Sequence, residues 1–349
     1  MTVRGARLTA AVEHIPATGV DDRDLRARVL DAIQGFIPFD SYAFLLTDPT
    51  TSVGCSPVAE VPDLAILPDL IRLKYLTSVN RWTALPTSGC ASLGQATSGH
   101  PERSLIWREY LAGFGIADVV SLVFTDRLGW WGFLDLWRRG SRFTDDEVVA
   151  LAASRAAITC RLRGVQAAGF GAEESLPAYR GPGALVLSPA LTIRSQTAQT
   201  EDWLTALVPP PTGQSPVPAS AYNLAAQLLA FEAGVDAHPA QARVHLGAGK
   251  WLTLRADRLG GPEPVEQRDI VVTMEASSPA ERRDIFSRSP GLTDREDEVL
   301  RHLTDGYDTR TVARLMSISE FTVQDHLKSV FTKTSTSSRR ELLATSLGS

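Results

Sequence analysis

The sequence predicts a multidomain α+β protein: two α/β units with antiparallel sheets, followed by an all-α four-helix domain. A chain of 349 residues is longer than one hydrophobic core usually serves. A stretch poor in apolar periodicity, carrying Gly169, Gly171, Pro177, Gly181, Pro182 and Gly183, separates two regions that mix helix and strand patterns. After Pro290 the periodicity becomes wholly helical. With 44% hydrophobic and 21% charged residues, the composition is that of an ordinary globular chain, with no long biased tract.

In the first unit, Leu25, Val29, Leu30, Ile33 and Phe36 recur at helical spacing and predict a helix over 24–36. Residues 41–46 read as a short buried strand. Two runs, 119–125 and 130–137, flank the turn formers Asp126-Arg127-Leu128-Gly129 and predict a hairpin. Thr144 and Glu147 have capping-box spacing, so a helix opens there and runs to about residue 163. This unit is assigned to 1–165 and the linker to 166–183. The second unit, 184–280, reads as strands over 184–187 and 191–194, helices over 200–207 and 220–232, and strands over 243–246, 251–255 and 269–274.

The third unit, 288–349, has four helix starts: Thr293 with Glu296, Asp308, Ser319, and Ser338 with Glu341; Gly306 suits a stop. Its core candidates include Val299, Leu300, Leu303, Val312, Val323, Leu327, Val330 and Leu342. With Val323, Leu327 and Val330 turned inward, Glu320, Gln324, Asp325 and Lys328 must face outward. A glutamine there can pair with adenine N6 and N7, and a lysine one turn later with guanine or phosphate. Asp325 either accepts from cytosine N4 or pairs with Lys328 three residues on. Ser319, Thr322, Arg310, Arg314, Lys333, Arg339 and Arg340 are candidates for positioning contacts to DNA. Periodicity alone fits an ordinary bundle with a solvated polar face equally well.

The order of motifs separates those readings. Leu292 with the TDREDEV run, Ile318-Ser319, Thr322-Val323-Gln324-Asp325-His326-Leu327-Lys328, Lys333-Thr334 and Ser338-Arg339-Arg340-Glu341-Leu342 closely resemble the LuxR-type DNA-binding domain. Departures are Thr311, where a glutamate is common, and Asp308-Thr309, where Ser-Asn is common. The resemblance implies a helix-turn-helix fold and double-stranded DNA as partner. It also implies that the helix beginning near Ser319 enters the major groove, with Gln324, Asp325 and Lys328 facing the bases. A homodimer is expected from the geometry of two-fold DNA sites, with Leu342, Leu343 and Leu347 as its contact edge. Upstream, Trp107-Arg108-Glu109-Tyr110-Leu111, Gly115-Ile116-Ala117-Asp118 and Phe143-Thr144-Asp145-Asp146-Glu147 resemble the GAF-like sensor part of actinobacterial LuxR-type regulators. Trp203-Leu204, residues 242–246 and Gly249-Lys250-Trp251-Leu252 resemble their PAS-like middle domain, with Thr197 replacing a usual asparagine. The resemblance therefore implies two sensor-like domains and an effector of unknown chemistry.

Alternation over 130–138 puts Trp131, Phe133, Asp135 and Trp137 on one strand face, where an aspartate among aromatics could anchor a ligand. The plainer reading is a one-sided core strand, with Asp135 meeting an amide or solvent. Net charge is −5, and residues 291–349 hold eight Lys/Arg against nine Asp/Glu. Any DNA affinity must therefore come from where the charges sit. Cys55, Cys90 and Cys160 form no CxxC pair, which argues against a disulfide framework and a zinc site. No histidine sits in a metal or haem motif, and no cofactor is expected. The absence of G-x-S-x-G, P-loop and H-E-x-x-H signatures argues against an enzyme. No strand-terminal aspartate marks a phosphorylated receiver, and the autoinducer-binding domain of quorum sensors is not evident. No apolar run approaches membrane-spanning length, so a cytoplasmic protein without a membrane partner is expected. The alternative for the N-terminal half is an assembly module or a contact surface for RNA polymerase.

Overall fold

The computed structural model describes residues 2–16, 19–85, 87–171, 181–247 and 249–348. The first unit runs α1 (Val3–Glu13), α2 (Asp22–Gln34), β1 (Ser41–Thr47), β2 (Gly54–Glu60), α3 (Leu67–Leu76), β3 (Cys90–Ser92), α4 (Leu93–Ala96), α5 (Leu105–Glu109), β4 (Ile116–Asp126), β5 (Gly129–Arg139) and α6 (Asp145–Ala168). Its strands form an antiparallel sheet in the order β2-β1-β5-β4-β3. α6 starts where its capping box predicts: Glu147 N donates to Thr144 Oγ1 at 3.3 Å, and Thr144 N donates to Glu147 Oε2 at 2.8 Å. α1, α2 and α6 cover one face of this sheet, burying Leu8, Val12, Val29, Leu134, Ile158 and Leu162. α3, α5 and the segment around Trp82 cover the other face.

The second unit runs β6 (Gly183–Leu187), β7 (Ile193–Gln196), α7 (Ala198–Leu207), α8 (Ala219–Glu232), β8 (Gln241–His245), β9 (Trp251–Arg258) and β10 (Ile270–Ala276). Its antiparallel sheet has the order β7-β6-β10-β9-β8. α8 is apolar nearly all round, with Ala219, Ala221, Leu224, Ala225, Ala226 and Ala230 buried, and such a helix needs cover on every side. It obtains that cover by packing at once on β9 and β10 of its own sheet and on α3 and β2 of the first unit.

The chain ends with α9 (Pro279–Arg288), α10 (Asp294–Thr304), α11 (Thr309–Leu315), α12 (Glu320–Thr334) and α13 (Arg339–Leu347). Val299, Leu300, Leu303, Val312, Val323, Leu327, Val330 and Leu342 form the bundle core. Ile285 and Phe286 of α9 and Phe170 and Trp251 of the upstream units continue it. The architecture is thus multidomain α+β, with two five-stranded antiparallel sheets before a helical end.

The structure adds elements that the sequence pattern did not announce. α1, β2 and β3 lie in stretches with little periodicity, and α9 fills the interval between the expected second and third units. α6 continues to Ala168, three residues into the expected linker, of which 172–180 lie outside the described residues. Among the described residues no helix is long and apolar enough to cross a membrane.

Candidate nucleic-acid interface and ligand cavity

α12 is positioned by its cap and by its buried side. Ser319 Oγ accepts from Thr322 N at 3.0 Å and lies 2.8 Å from Thr322 Oγ1. Ser317 takes the left-handed conformation, φ 55°, in the turn between α11 and α12. Val323, Leu327 and Val330 are buried, which turns Gln324, Asp325 and Lys328 to solvent. Lys328 Nζ lies 3.5 Å from Asp325 Oδ1, so of the two options for Asp325 the free chain adopts the local pair. Such an exposed pair is weakly held and opens at little cost. Asp308 caps α11 through Thr311 N at 2.8 Å, and α11 carries Arg310 and Arg314 on its exposed side.

Two of the expected phosphate-contact residues have partners inside the protein. Lys333 Nζ lies 2.6 Å from Glu296 Oε2, tying α12 to α10. Glu296 also accepts from Ser329 at 2.6 Å and from Thr293 N at 2.7 Å. Burial pushes the Glu296 carboxyl up, but bonds from Lys333, Ser329 and Thr293 prevail and hold it at about 2. Arg339 donates to Tyr307 O at 2.5 Å, while Arg340 stays exposed. Leu342, expected on the dimer edge, is fully buried in the bundle core, whereas Leu343 and Leu347 are only partly covered. Phe321, in the first turn of α12, is 73% exposed and shares a face with Gln324 and Lys328. Its signal in the sequence was an aromatic residue outside the core spacing.

The second candidate site is a cavity of about 120 Å³ between the outer face of the first sheet, α3 and α8. By the space one water needs, it has room for several. Asp135 and Trp137 line it, as do Ala43, Leu45, Val119 and Ser121 from the neighbouring strands. Lys74 of α3 enters from above: Nζ lies 3.0 Å from Asp135 Oδ2 and donates to Ser121 Oγ at 2.9 Å and Asn80 O at 2.8 Å. Trp82 Nε1 donates to Asp135 Oδ1 at 2.9 Å, and its ring stacks on Phe133 with centroids 4.8 Å apart. Burial pushes the Lys74 ammonium below the usual lysine range, while Asp135 pulls it back. The ions therefore satisfy each other in a largely aliphatic shell.

Phe133 thus lies beneath Trp82 and Trp131 lies elsewhere. The β4–β5 register shifts between Phe124 and Thr125, which pair with Gly132 and Trp130. Trp131 is the extra residue of that bulge, and strict alternation fails there. Its indole donates to Asp126 Oδ1 at 2.9 Å, and Asp126 in turn accepts from Arg163 of α6 at 2.5 Å. The residues missed by sequence reasoning were Lys74 and Trp82. A lysine in the apolar run of α3 was the available signal for the first; the second had no local signal.

Residues 290–345, the helical end of the chain, match the family described as bacterial regulatory proteins, luxR family. No curated protein matches the chain. A crystal structure of Escherichia coli SdiA aligns with TM-score 0.33 and 12% identity over 99% of this chain and 96% of that one. SdiA in complex with octanoyl-rac-glycerol aligns with TM-score 0.30 and 13% identity over 99% of this chain and 88% of that one. At these scores the likeness carries no argument about the N-terminal units.

Proposed function

We propose that this protein is a sequence-specific, DNA-binding transcriptional regulator, not an enzyme, that acts in the cytoplasm as a homodimer. The observation that carries the reading is α12: within a segment matching the luxR family, its buried stripe leaves Gln324, Asp325 and Lys328 facing solvent. A helix so presented suits the major groove. Gln324 reads adenine, Lys328 reads guanine or phosphate, and Thr322, Ser319, Arg310, Arg314 and Arg340 fix the domain on the backbone. The N-terminal units, GAF-like over 1–165 and PAS-like over 184–280, modulate this binding through a small molecule. The cavity beside Asp135 supports that part.

The test is selection of genomic DNA fragments by the purified protein, repeated with Gln324→Ala/Lys328→Ala at two salt concentrations, because phosphate binding falls steeply with salt. One inverted-repeat motif that the double variant loses is the expected result. Weak, motif-free binding unchanged by the substitutions would overturn the assignment of α12.

A further inference from the structure

The cavity of the first unit is walled in part by the second. Ala219 and Asn223, both on α8, line it opposite the sheet that carries Asp135. Asn223 is 1% exposed; its Nδ2 donates to Ala219 O at 3.0 Å, and its Oδ1 has no partner among the described residues. A buried acceptor left unsatisfied is costly, and the residue that carries this one is part of the cavity wall. The ionisable groups of the lining, Lys74 and Asp135, cancel each other's charge at 3.0 Å. The Lys74 protons are directed at Asn80 O, Ser121 Oγ and Asp135, so the pair offers no spare charge to a ligand. The remaining wall is mostly aliphatic, including Leu45, Leu67, Leu70 and Ile71.

From this geometry we infer that the cavity is a two-domain binding site for a neutral molecule with an aliphatic body and one N–H or O–H donor, which Asn223 Oδ1 accepts. The inference rests on the sensor reading above and deepens it. Because Asn223 belongs to the second unit and Asp135 to the first, an occupant touches both and resists their separation. Ligand binding in the first unit is thereby felt by α8 and the second sheet.

The experiment is calorimetric titration of the full chain with straight-chain amides from hexanamide to decanamide, the matching methyl esters, carboxylates and amines, followed by the same titrations on Asn223→Leu. The expected result is that an amide binds about tenfold more tightly than its methyl ester, with carboxylate and amine weaker still. Asn223→Leu should erase the preference for the amide while leaving ester binding in place. Equal binding of amide and ester to the unaltered chain overturns the role of Asn223 without need of a variant. Tighter binding of a charged probe overturns the neutral-ligand assignment but leaves the sensor reading standing. Failure of every probe overturns the inference; the sensor reading falls separately, only if cell extract of small molecules also leaves DNA affinity unchanged.

Discussion

Arg243 of β8 grips Asp48, the residue after β1, with two prongs: Nε lies 2.7 Å from Oδ2 and Nη2 lies 2.8 Å from Oδ1. Asp48 is fully buried and also accepts from Thr50 N at 2.8 Å and Arg243 N at 2.8 Å. The same guanidinium reaches Asp284 of α9 at 2.6 Å. One cation therefore joins both sheets and the helix that leads into the C-terminal bundle. Burial alone would weaken its charge, but the two carboxylates raise its proton affinity above that of an ordinary arginine.

Replacing Arg243 with Met leaves Asp48 buried and unpaired, and should cost about 3–5 kcal/mol in urea unfolding. Arg243→Met/Asp48→Asn should recover part of that loss, since the stranded charge is gone. A single-variant loss under about 1 kcal/mol would show that the pair does not tie the units together.

Arg282 of α9 is the second joint. It donates to Thr345 O of α13 at 3.0 Å, to Phe170 O after α6 at 3.4 Å, and to Gly249 O in the β8–β9 turn. Its guanidinium carbon lies 5.1 Å from the Phe170 ring centroid. Arg282→Ala should raise amide exchange in α13 and split the thermal transition, with the helical bundle melting apart from the sheets. A single unsplit transition with unchanged exchange would contradict this.

His245 is buried against Trp251, with ring centroids 5.2 Å apart, and its Nε2 has no partner among the described residues. Burial above all pushes it down to about 4; Asp22 and the Gly169 backbone oppose that shift, and Arg282 adds to it. The unfolded chain therefore binds the proton first. Above pH about 6.5 the group is neutral in both states and has no effect on stability. Between about 6.5 and 4 stability should fall with falling pH, by up to ~3 kcal/mol. His245→Leu should flatten that part of the stability profile; an unchanged slope would argue against a buried neutral histidine.

Glu296 acts in the same direction at lower pH. Its folded value of about 2 lies below the ordinary glutamate value, so the unfolded chain again takes up the proton first. Its stabilisation is fully present above about pH 4.5 and is lost as pH falls toward 2. Lys333→Met removes the 2.6 Å partner and should raise the acid-unfolding midpoint of the chain. If the midpoint stays put while DNA binding weakens, Lys333 acts on phosphate rather than on Glu296.

Phe321 separates stability from recognition. At 73% exposure, Phe321→Ala should change stability by no more than about 0.5 kcal/mol. With α12 in the groove as proposed above, its ring would lie beside the bases with Gln324 and Lys328, and its loss should weaken binding by about 1 kcal/mol at sites with a thymine methyl in reach. Equal affinity of the variant across all sites would place Phe321 outside the interface.

The third unit was the most legible because its signals are local. Thr293, Asp308, Ser319 and Ser338 each cap a helix through an amide three residues on, a bond that depends only on neighbouring residues. Gln324 and Lys328 face outward for an equally local reason, the spacing of Val323, Leu327 and Val330. α9 carries a local signal of the same kind, the Ser278–Glu281 capping box with Pro279 at its first position, which the sequence reading passed over; α1 has only the Thr2 cap and covers α6.

The sequence by itself determined the helix starts of the bundle, the hairpin that carries Asp135 and the change in periodicity after Pro290. Tertiary structure decided the rest of the candidate cavity. Lys74, Trp82 and Asp135 converge across 61 residues of chain, and Asn223 arrives from a different sheet. No periodicity links such positions, because they meet only after β5 pairs with β1 and β4 and α8 finds cover on α3. The bulge at Trp131 was decided in the same way: an extra residue between paired strands is a property of the pairing, and it moved one aromatic away from the face that alternation had assigned to it.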